Sequence, residues 1–325
     1  MKALRFNQTG DLNHLEFIEF TKPTLNDDEV LVQIKAARLN RNDLSNVMGR
    51  LPYTTTPRTP GRDYAGIVVE GPSELIGLEV WGSGKENGFS KDGSHAEFMK
   101  IHRNAVSPKP KSLTFPQAGN CGTPYITAWH ALASCGVSQG TSIAVIGANG
   151  AVGNAAMELA LLRQAQVLGL ARGHAHLESI QARGAKADSF DAEQALQDLP
   201  KTTRKYFPNG PDVIFDTTGL FLNASIAAVG QLGKVAVIVA PGDGQVSISV
   251  RDLYRNGASI VGVNSLLYSA QDCAAVLRQL ANDFDAGLMQ PPHTIVEHEL
   301  DRAKEVYMSL QKGLSGMHVF IPHHG

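Results

Sequence analysis

Ser142-Ile143-Ala144-Val145-Ile146-Gly147-Ala148-Asn149-Gly150-Ala151-Val152-Gly153 is the stretch on which the fold turns. Residues 143 to 146 are apolar without alternation, the pattern of a strand buried on both faces. Residues 151 to 163 are rich in Ala and Leu and form a helix. The glycines lie where strand hands over to helix. Read from Ala148, the turn is A-x-G-x-x-G, with alanine in place of the usual first glycine. In this context Gly150 lets the backbone approach a pyrophosphate, and Gly153 lets the helix lie against its strand. The helix N-terminus adds open N–H groups and a partial positive charge. A glycine-rich turn with no ligand is the plain alternative, and the strand–helix pattern around it argues against that.

That pattern continues on the C-terminal side. Gln166 to Leu170 is a second buried strand, and His176 to Arg183 a helix that Gly184 can end. Asp212 to Asp216 and Val235 to Val239 are strands with a helix, Leu222 to Leu232, between them, and Ser259 to Val263 is a last short strand. Strands alternating with helices predict a parallel sheet covered on both faces. On the N-terminal side the chain is β-rich and punctuated by Gly and Pro. Strands are expected at Val30 to Ala37 and Ala65 to Glu70, with a short helix from Asn42 to Met48 between them. After the last strand come helices at Ala270 to Phe284 and Asp301 to Gln311 and a strand from Met317.

Length and composition agree. At roughly 100–200 residues per domain, 325 residues imply two domains. The net charge of −2 is mixed along the chain, so no basic stripe offers itself to nucleic acid. No apolar run is long enough to span a bilayer, and Met1 to Gly10 lack the apolar core of a secretory signal. Cys121, Cys135 and Cys273 are an odd, scattered set that forms neither a disulfide framework nor a metal knuckle. A cytoplasmic protein is expected.

The second strand chooses the dinucleotide. An NAD site wants a carboxylate for the ribose 2′-hydroxyl about 20 residues after the glycines. Here the strand ends Leu170-Ala171-Arg172-Gly173-His174, with a guanidinium and no carboxylate. A guanidinium matches a 2′-phosphate in charge and geometry, so NADP(H) is expected. A solvated surface role for Arg172 is the competing reading.

With the glycine turn in place, the chain resembles, essentially end to end, the medium-chain dehydrogenase/reductase superfamily, in its zinc-free quinone oxidoreductase (zeta-crystallin-like) branch. Leu39-Asn40-Arg41-Asn42-Asp43 resembles the family's N-x-x-D segment, and Pro60-Gly61-Arg62-Asp63-Tyr64-Ala65-Gly66 its P-G-x-[DE]-x-[AS]-G turn. Gly122 to Trp129 is similar to the segment leading into the cofactor domain, and Asp216-Thr217-Thr218-Gly219 to the loop after the fourth strand. The resemblance implies an α/β protein: a GroES-like β-rich substrate domain, residues 1–122 and 268–325, plus a Rossmann doubly wound parallel sheet domain, residues 123–267. It places cofactor contacts at Thr127, at Gly147, Asn149, Gly150, Ala151, Val152 and Gly153, and at Ala171 and Arg172. Further contacts are implied at Thr217 and Thr218, Val239 and Ala240, and Asn264. Substrate would lie in a cleft between the domains, and a homodimer would form through the last Rossmann strand.

The family's zinc enzymes hold a catalytic metal by Cys, His and Cys. The matching positions here are Asn40, Arg62 and Cys121, a set that one thiol cannot complete. Cys121 is read as a buried structural cysteine. Without a Lewis acid the substrate must already be electrophilic, as quinones and α,β-unsaturated carbonyls are. Asn40 and Tyr53 are the candidate catalytic donors, and Asp43, Arg62, Tyr64 and Tyr125 candidate pocket residues. Asn40, Asn42 and Asp43 have a second reading as helix caps, and Tyr53 and Tyr64 as loop filling. Arg62 would steer an anionic substrate or pair with Asp63 or Glu70. The expected function is hydride transfer from NADPH to a quinone or other activated carbonyl. An alkenal or enoyl-thioester reductase is the alternative enzyme, and an NADPH-binding sensor or structural protein the alternative of another class.

Overall fold

The computed structural model describes every residue except 172, 175, 293, 324 and 325. Its first part contains β1 (Lys2–Phe6), β2 (Leu15–Glu19), β3 (Glu29–Arg38), α1 (Arg41–Val47), β4 (Tyr64–Glu70), β5 (Glu79–Gly82), β6 (Phe98–His102) and α2 (Phe115–Gly119). A longer helix, α3 (Gly122–Cys135), follows. Then come β7 (Ser142–Ile146), α4 (Ala151–Leu162), β8 (Gln166–Ala171), α5 (Leu177–Gln181), β9 (Lys186–Ser189), α6 (Ala195–Tyr206), β10 (Val213–Asp216), α7 (Leu222–Ala228), β11 (Lys234–Val237), α8 (Val250–Asn256) and β12 (Ser259–Gly262). The chain closes with α9 (Ala270–Asp285), β13 (Ile295–Glu299), α10 (Ala303–Gln311) and β14 (Met317–Ile321).

Two compact units result: Met1–Ile126 with Leu266–Gly325, and Thr127–Ser265. One join falls inside α3 and the other just before Leu266, where the sequence reading had put them at residues 123 and 267.

In the first unit β3 is the hub. It pairs antiparallel with β4, β6 and β14, and β13 runs parallel to β14 at the edge. Leu44 and Val47 of α1 are buried with Leu4, Phe6, Tyr307 and Phe320. This apolar anchoring fixes the helix and therefore its N-terminus, where the polar residues sit.

In the second unit six parallel strands run in the order β12-β11-β10-β7-β8-β9. The buried strands β7, β10 and β11 show why the runs are apolar: Ile143, Ala144, Val145, Ile214, Phe215 and Val235 are all fully enclosed. The strand order reverses between β7 and β10. In open parallel sheets the crevice outside the carboxyl ends of strands at such a switch point is where ligands bind.

Candidate active site

In the second unit the glycine turn sits at that switch point. Gly147 has φ +77°, a conformation that favours glycine. A Cβ there would also lie 2.5 Å from Thr217 Oγ1, at the end of β10. Thr217 donates its hydroxyl to Ile146 O at 2.7 Å, tying the ends of β7 and β10 together. A Cβ on Gly153 would come within 2.2 Å of Gly147 O, so this glycine is what lets α4 start against its own turn. Gly150 differs. Its φ is −80°, and a Cβ would meet nothing closer than Gly147 O at 3.2 Å. Gly150 is the N-cap of α4 and supplies no side-chain cap, so no side chain there closes off the first N–H groups at Ala151, Val152 and Gly153.

Neighbouring loops complete the surround. Asp216 Oδ1 accepts from the Thr218 backbone at 2.9 Å and hydroxyl at 2.7 Å, and its Oδ2 accepts from Phe221 N at 2.8 Å. That buried carboxylate shapes the loop after β10. Gly219, at φ +73°, brings the loop against Val239, whose carbonyl oxygen would lie 2.3 Å from a Cβ. Val239 and Ala240, after β11, are exposed, as are Asn149 in the turn and Asn264 after β12. Ala171 ends β8 and is buried. Arg172, the expected 2′-phosphate ligand, lies outside the described residues. Asp188 on the adjacent strand is engaged by Lys205 Nζ at 3.3 Å and Tyr206 Oη at 3.2 Å. Thr127 is buried within α3.

In the first unit the ends of β3 and the starts of α1, β4 and α3 bring polar side chains into one buried cluster. Arg38 Nε donates to Asn40 Oδ1 at 2.9 Å, and Asn40 Nδ2 donates to Asp63 Oδ2 at 2.9 Å. Thr123 gives Asp63 its backbone N–H at 2.7 Å and its hydroxyl at 2.8 Å. A Cβ on Gly122 would strike Asp63 Oδ1 at 2.4 Å, so the carboxylate reaches α3 because residue 122 has no side chain. Arg38 Nη1 donates to the side-chain oxygen of Asn120 and, at 3.4 Å, to its backbone oxygen. Burial pulls the Arg38 guanidinium below its ordinary pKa, and the Asp63 carboxylate opposes that.

Beneath this cluster lies His95, fully buried. Its Nε2 faces Arg38 O at 3.0 Å, so Nε2 carries the hydrogen, and Tyr307 Oη donates to Nδ1 at 2.9 Å. Burial lowers the His95 pKa to about 4, so the ring is neutral. Asp43 stands at the third position of α1. Its Oδ2 accepts from Asn40 N at 2.7 Å, while Oδ1 is buried with no hydrogen-bond partner. Burial pushes its pKa up to about 7 against the lowering effect of the Asn40 hydrogen bond, and Asp63 adds to the rise.

The candidate residues therefore separate. Asn40 and Asp43 come together and also cap α1; Asn42 lies inside the helix. Tyr53 is 51% exposed on a turn. Tyr64 and Tyr125, the candidate pocket residues, are buried at 1% and 4% exposure. Tyr64 lies in the strand core under Gly82, and Tyr125 meets Phe284 edge to face at 5.6 Å. Arg62 is fully buried with Nε on Gly84 O at 3.1 Å, an enclosure that does not suit steering an incoming anion. Glu70, considered as its partner, pairs with Lys22 at 3.7 Å. Arg38, Asn120 and Thr123 were not singled out as site residues. The available signal was Arg38 itself, a cation in an otherwise apolar strand end.

Comparison with known proteins identifies the class. Residues 26–111 match the alcohol dehydrogenase GroES-like domain, and residues 151–282 the zinc-binding dehydrogenase family. A zinc-type alcohol dehydrogenase-like protein of Schizosaccharomyces pombe is 35% identical, over 88% of this chain and 86% of its own. A 2-methylene-furan-3-one reductase of Solanum lycopersicum is 31% identical, over 73% of this chain and 62% of its own. The quinone oxidoreductase of Sus scrofa is 30% identical, over 82% of this chain and 79% of its own. The crystal structure of an alcohol dehydrogenase superfamily protein from Novosphingobium aromaticivorans superposes with a TM-score of 0.87 at 26% identity, covering 99% of both chains. The chain belongs to the medium-chain dehydrogenase/reductase superfamily, nicotinamide-dinucleotide-dependent oxidoreductases with a GroES-like domain and a Rossmann-like sheet.

Two groups implied by that family can be tested against the residues. The dinucleotide fits: the turn at the switch point leaves room beside Gly150 and uncapped N–H groups beyond it. Zinc does not fit. Where the metal ligands would stand, Asn40 has both ends of its amide in hydrogen bonds and Arg62 is a buried cation. Cys121 donates its Sγ–H to Gln117 O at 3.2 Å, and burial pushes its thiol far above the ordinary range. Among the described residues no group of three or more His, Cys, Asp or Glu is arranged to hold a metal ion.

Proposed function

We propose that this oxidoreductase transfers a hydride from NADPH to a quinone or another α,β-unsaturated carbonyl, without a metal. The observation that carries this reading is the buried Arg38–Asn40–Asp63–Thr123 cluster with Arg62 beside it in sequence, in which the one carboxylate, Asp63, is saturated by protein donors and no set of metal ligands remains. Such a site supplies hydrogen bonds and no strong Lewis acid, so its substrate must accept a hydride unaided.

When bound, NADPH supplies the hydride and leaves as NADP⁺. A quinone takes up that hydride and one proton from the medium and becomes the hydroquinone; an enone takes both across its carbon–carbon double bond. The chain's share is to hold the reactants in register and to place a donor where negative charge grows on oxygen. Asn40 is the candidate donor. Tyr53, at 51% exposure, is too open in this structure to shield a developing charge from water.

Preference for NADPH rests on Arg172 and on the lack of any carboxylate from Ala171 to His176. Asp188 does not replace one, because Lys205 and Tyr206 already engage it. An alkenal reductase is the second reading. It draws on the relative named for 2-methylene-furan-3-one, a ketone conjugated to a methylene group.

The deciding assay follows NADPH oxidation with quinones and 2-alkenals, with NADH, a chelator and added zinc as controls. Chelator-resistant turnover favouring NADPH is expected, and the better acceptor chooses between the two readings. Arg172→Ala is expected to weaken NADPH and leave NADH unchanged. NADPH binding with no turnover on any acceptor would overturn the enzyme reading in favour of a sensor or structural role.

A further inference from the structure

The hydrogen bonds around Asn40 have a fixed sense. The guanidinium of Arg38 has donors and no acceptor, so the Asn40 atom facing it must be the oxygen. The carboxylate of Asp63 accepts, so the Asn40 atom facing it must be the nitrogen. Turning the amide over would set donor against donor on one side and oxygen against oxygen on the other. Asn40 is thus confined to one of its two amide orientations. Its nitrogen carries two hydrogens, and the cluster takes one of them.

The two clamps are themselves anchored. Arg38 is tied to Asn120, and Asp63 to Thr123, so a stretch of chain from Asn120 to Thr123 closes the bonds into a ring. Asp63 and Asn120 are buried at 0% and 2% exposure. All five residues of the ring are buried, Arg38 at 6% and Thr123 at 8% exposure beside Asn40 at 7%, so what sets Asn40 apart is its fixed amide orientation and its second N–H.

We propose that Arg38 and Asp63 are positioning residues that hold the remaining N–H of Asn40 as the hydrogen-bond donor to the substrate oxygen. This rests on the metal-free hydride-transfer reading above. A donor locked in place before reaction spends nothing on reorienting as charge develops, which is the main advantage of a protein site over water. An unclamped asparagine would present its oxygen as readily as its nitrogen. The competing account is that the ring is a staple joining the end of β3 to the starts of α1, β4 and α3, with no bearing on chemistry.

A double-mutant cycle separates the two accounts. Asn40→Ala is expected to lower kcat with a quinone by about 100-fold, the usual scale for one lost oxyanion donor, with KM changed far less. Asp63→Asn is expected to lower kcat about 10-fold or more in the wild-type background and less than about two-fold in the Asn40→Ala background. A staple would leave kcat unchanged, or lower it by the same factor in both backgrounds through general loosening. Arg38→Met provides the same comparison should Asp63→Asn fail to fold. Thermal midpoints are read in parallel, because loss of the Thr123 anchor should cost stability equally in both backgrounds. An unchanged kcat in Asp63→Asn, equal kcat losses in the two backgrounds, or no loss in Asn40→Ala, would overturn the proposal and leave the functional reading standing. A wild-type protein that oxidises NADPH with no quinone or alkenal would remove that reading and the proposal with it.

Discussion

Asp43 and His95 are both buried, and burial makes each resist ionising, one as an acid and the other as a base. The Asp43 carboxyl is pushed up to about 7 when folded, from an ordinary 3.8. Between those values the native state binds more protons than the unfolded one, so this residue makes stability fall as pH rises from about 4 to about 7. His95 is lowered from 6.5 to about 4. Over that interval the native state binds fewer protons, and stability rises with pH. The two effects oppose each other, and Asp43→Asn removes one. Urea midpoints at pH 4.5, 6 and 8 should show the variant gaining on the wild type by on the order of a few kcal/mol, levelling off above pH 7. A difference independent of pH would place the Asp43 carboxyl near its ordinary range. Gly150 carries the other residue-scale prediction. Its backbone accepts alanine and its nearest neighbour is 3.2 Å away, so Gly150→Ala should fold with a thermal midpoint close to wild type. The added methyl occupies the space a pyrophosphate would approach, so NADPH affinity by fluorescence titration should fall about 10-fold or more. Unchanged affinity would move the cofactor away from this turn.

Elements show where sequence suffices. The glycine turn was legible because strand, turn and helix each carry their own signal: β7 and α4 begin where the apolar run and the last turn glycines put them. Gly153 makes the same point energetically. Alanine normally favours a helix over glycine by about 1 kcal/mol, yet a Cβ here lies 2.2 Å from Gly147 O and 2.8 Å from Ala148 Cα. Overpacking against backbone costs about 1–3 kcal/mol, so Gly153→Ala should lower the urea midpoint, and a raised midpoint would show that the turn can yield. Other elements were hidden. Pro200 stands inside α6, and β9 carries Lys186 and Asp188 among its four residues, so neither has a clean period. The helix Leu222–Ala228 stops four residues before the sequence reading ended it, because Val229 turns extended. Among the candidate residues, Asn40 and Asp43 were named from a motif, and the structure brings them together at the start of α1. Arg38, Asn120 and Thr123 were not, since their meeting depends on the ends of β3 and α2 and the start of α3 coming together around Asn40 and Asp63. The burial of Tyr64 and Tyr125 was hidden for a related reason: a tyrosine near a motif shows its hydroxyl in sequence, whereas packing decides which way the ring goes.

At the scale of the whole molecule, among the described residues the parallel sheet leaves one side of β12 without a neighbouring strand. Such an edge invites another strand unless something blunts it. Here little does. Within the same unit Ile260 is 38% exposed, Tyr254 67% and Leu232 81%, and β12 contains no charged residue and no proline. Its hydrogen bonds reveal which groups are on offer. Ser259 N donates to Gly233 O at 3.0 Å and Val263 N to Val237 O at 2.9 Å, so alternate residues point their N–H groups inward to β11. By the two-residue period of a strand, Ile260 and Gly262 point theirs outward. A second copy pairing along this edge would continue the sheet across both chains and bury the exposed apolar side chains. The expected state is a dimer, read by light scattering as twice the mass of one chain. Ile260→Pro removes an outward donor and spares the inward ladder, and proline is tolerated at an edge for that reason. It should yield a monomer with an unchanged circular dichroism spectrum. If the wild type runs as a monomer across the concentrations at which such dimers assemble, or if Ile260→Pro leaves a dimer intact, the copies meet elsewhere or not at all.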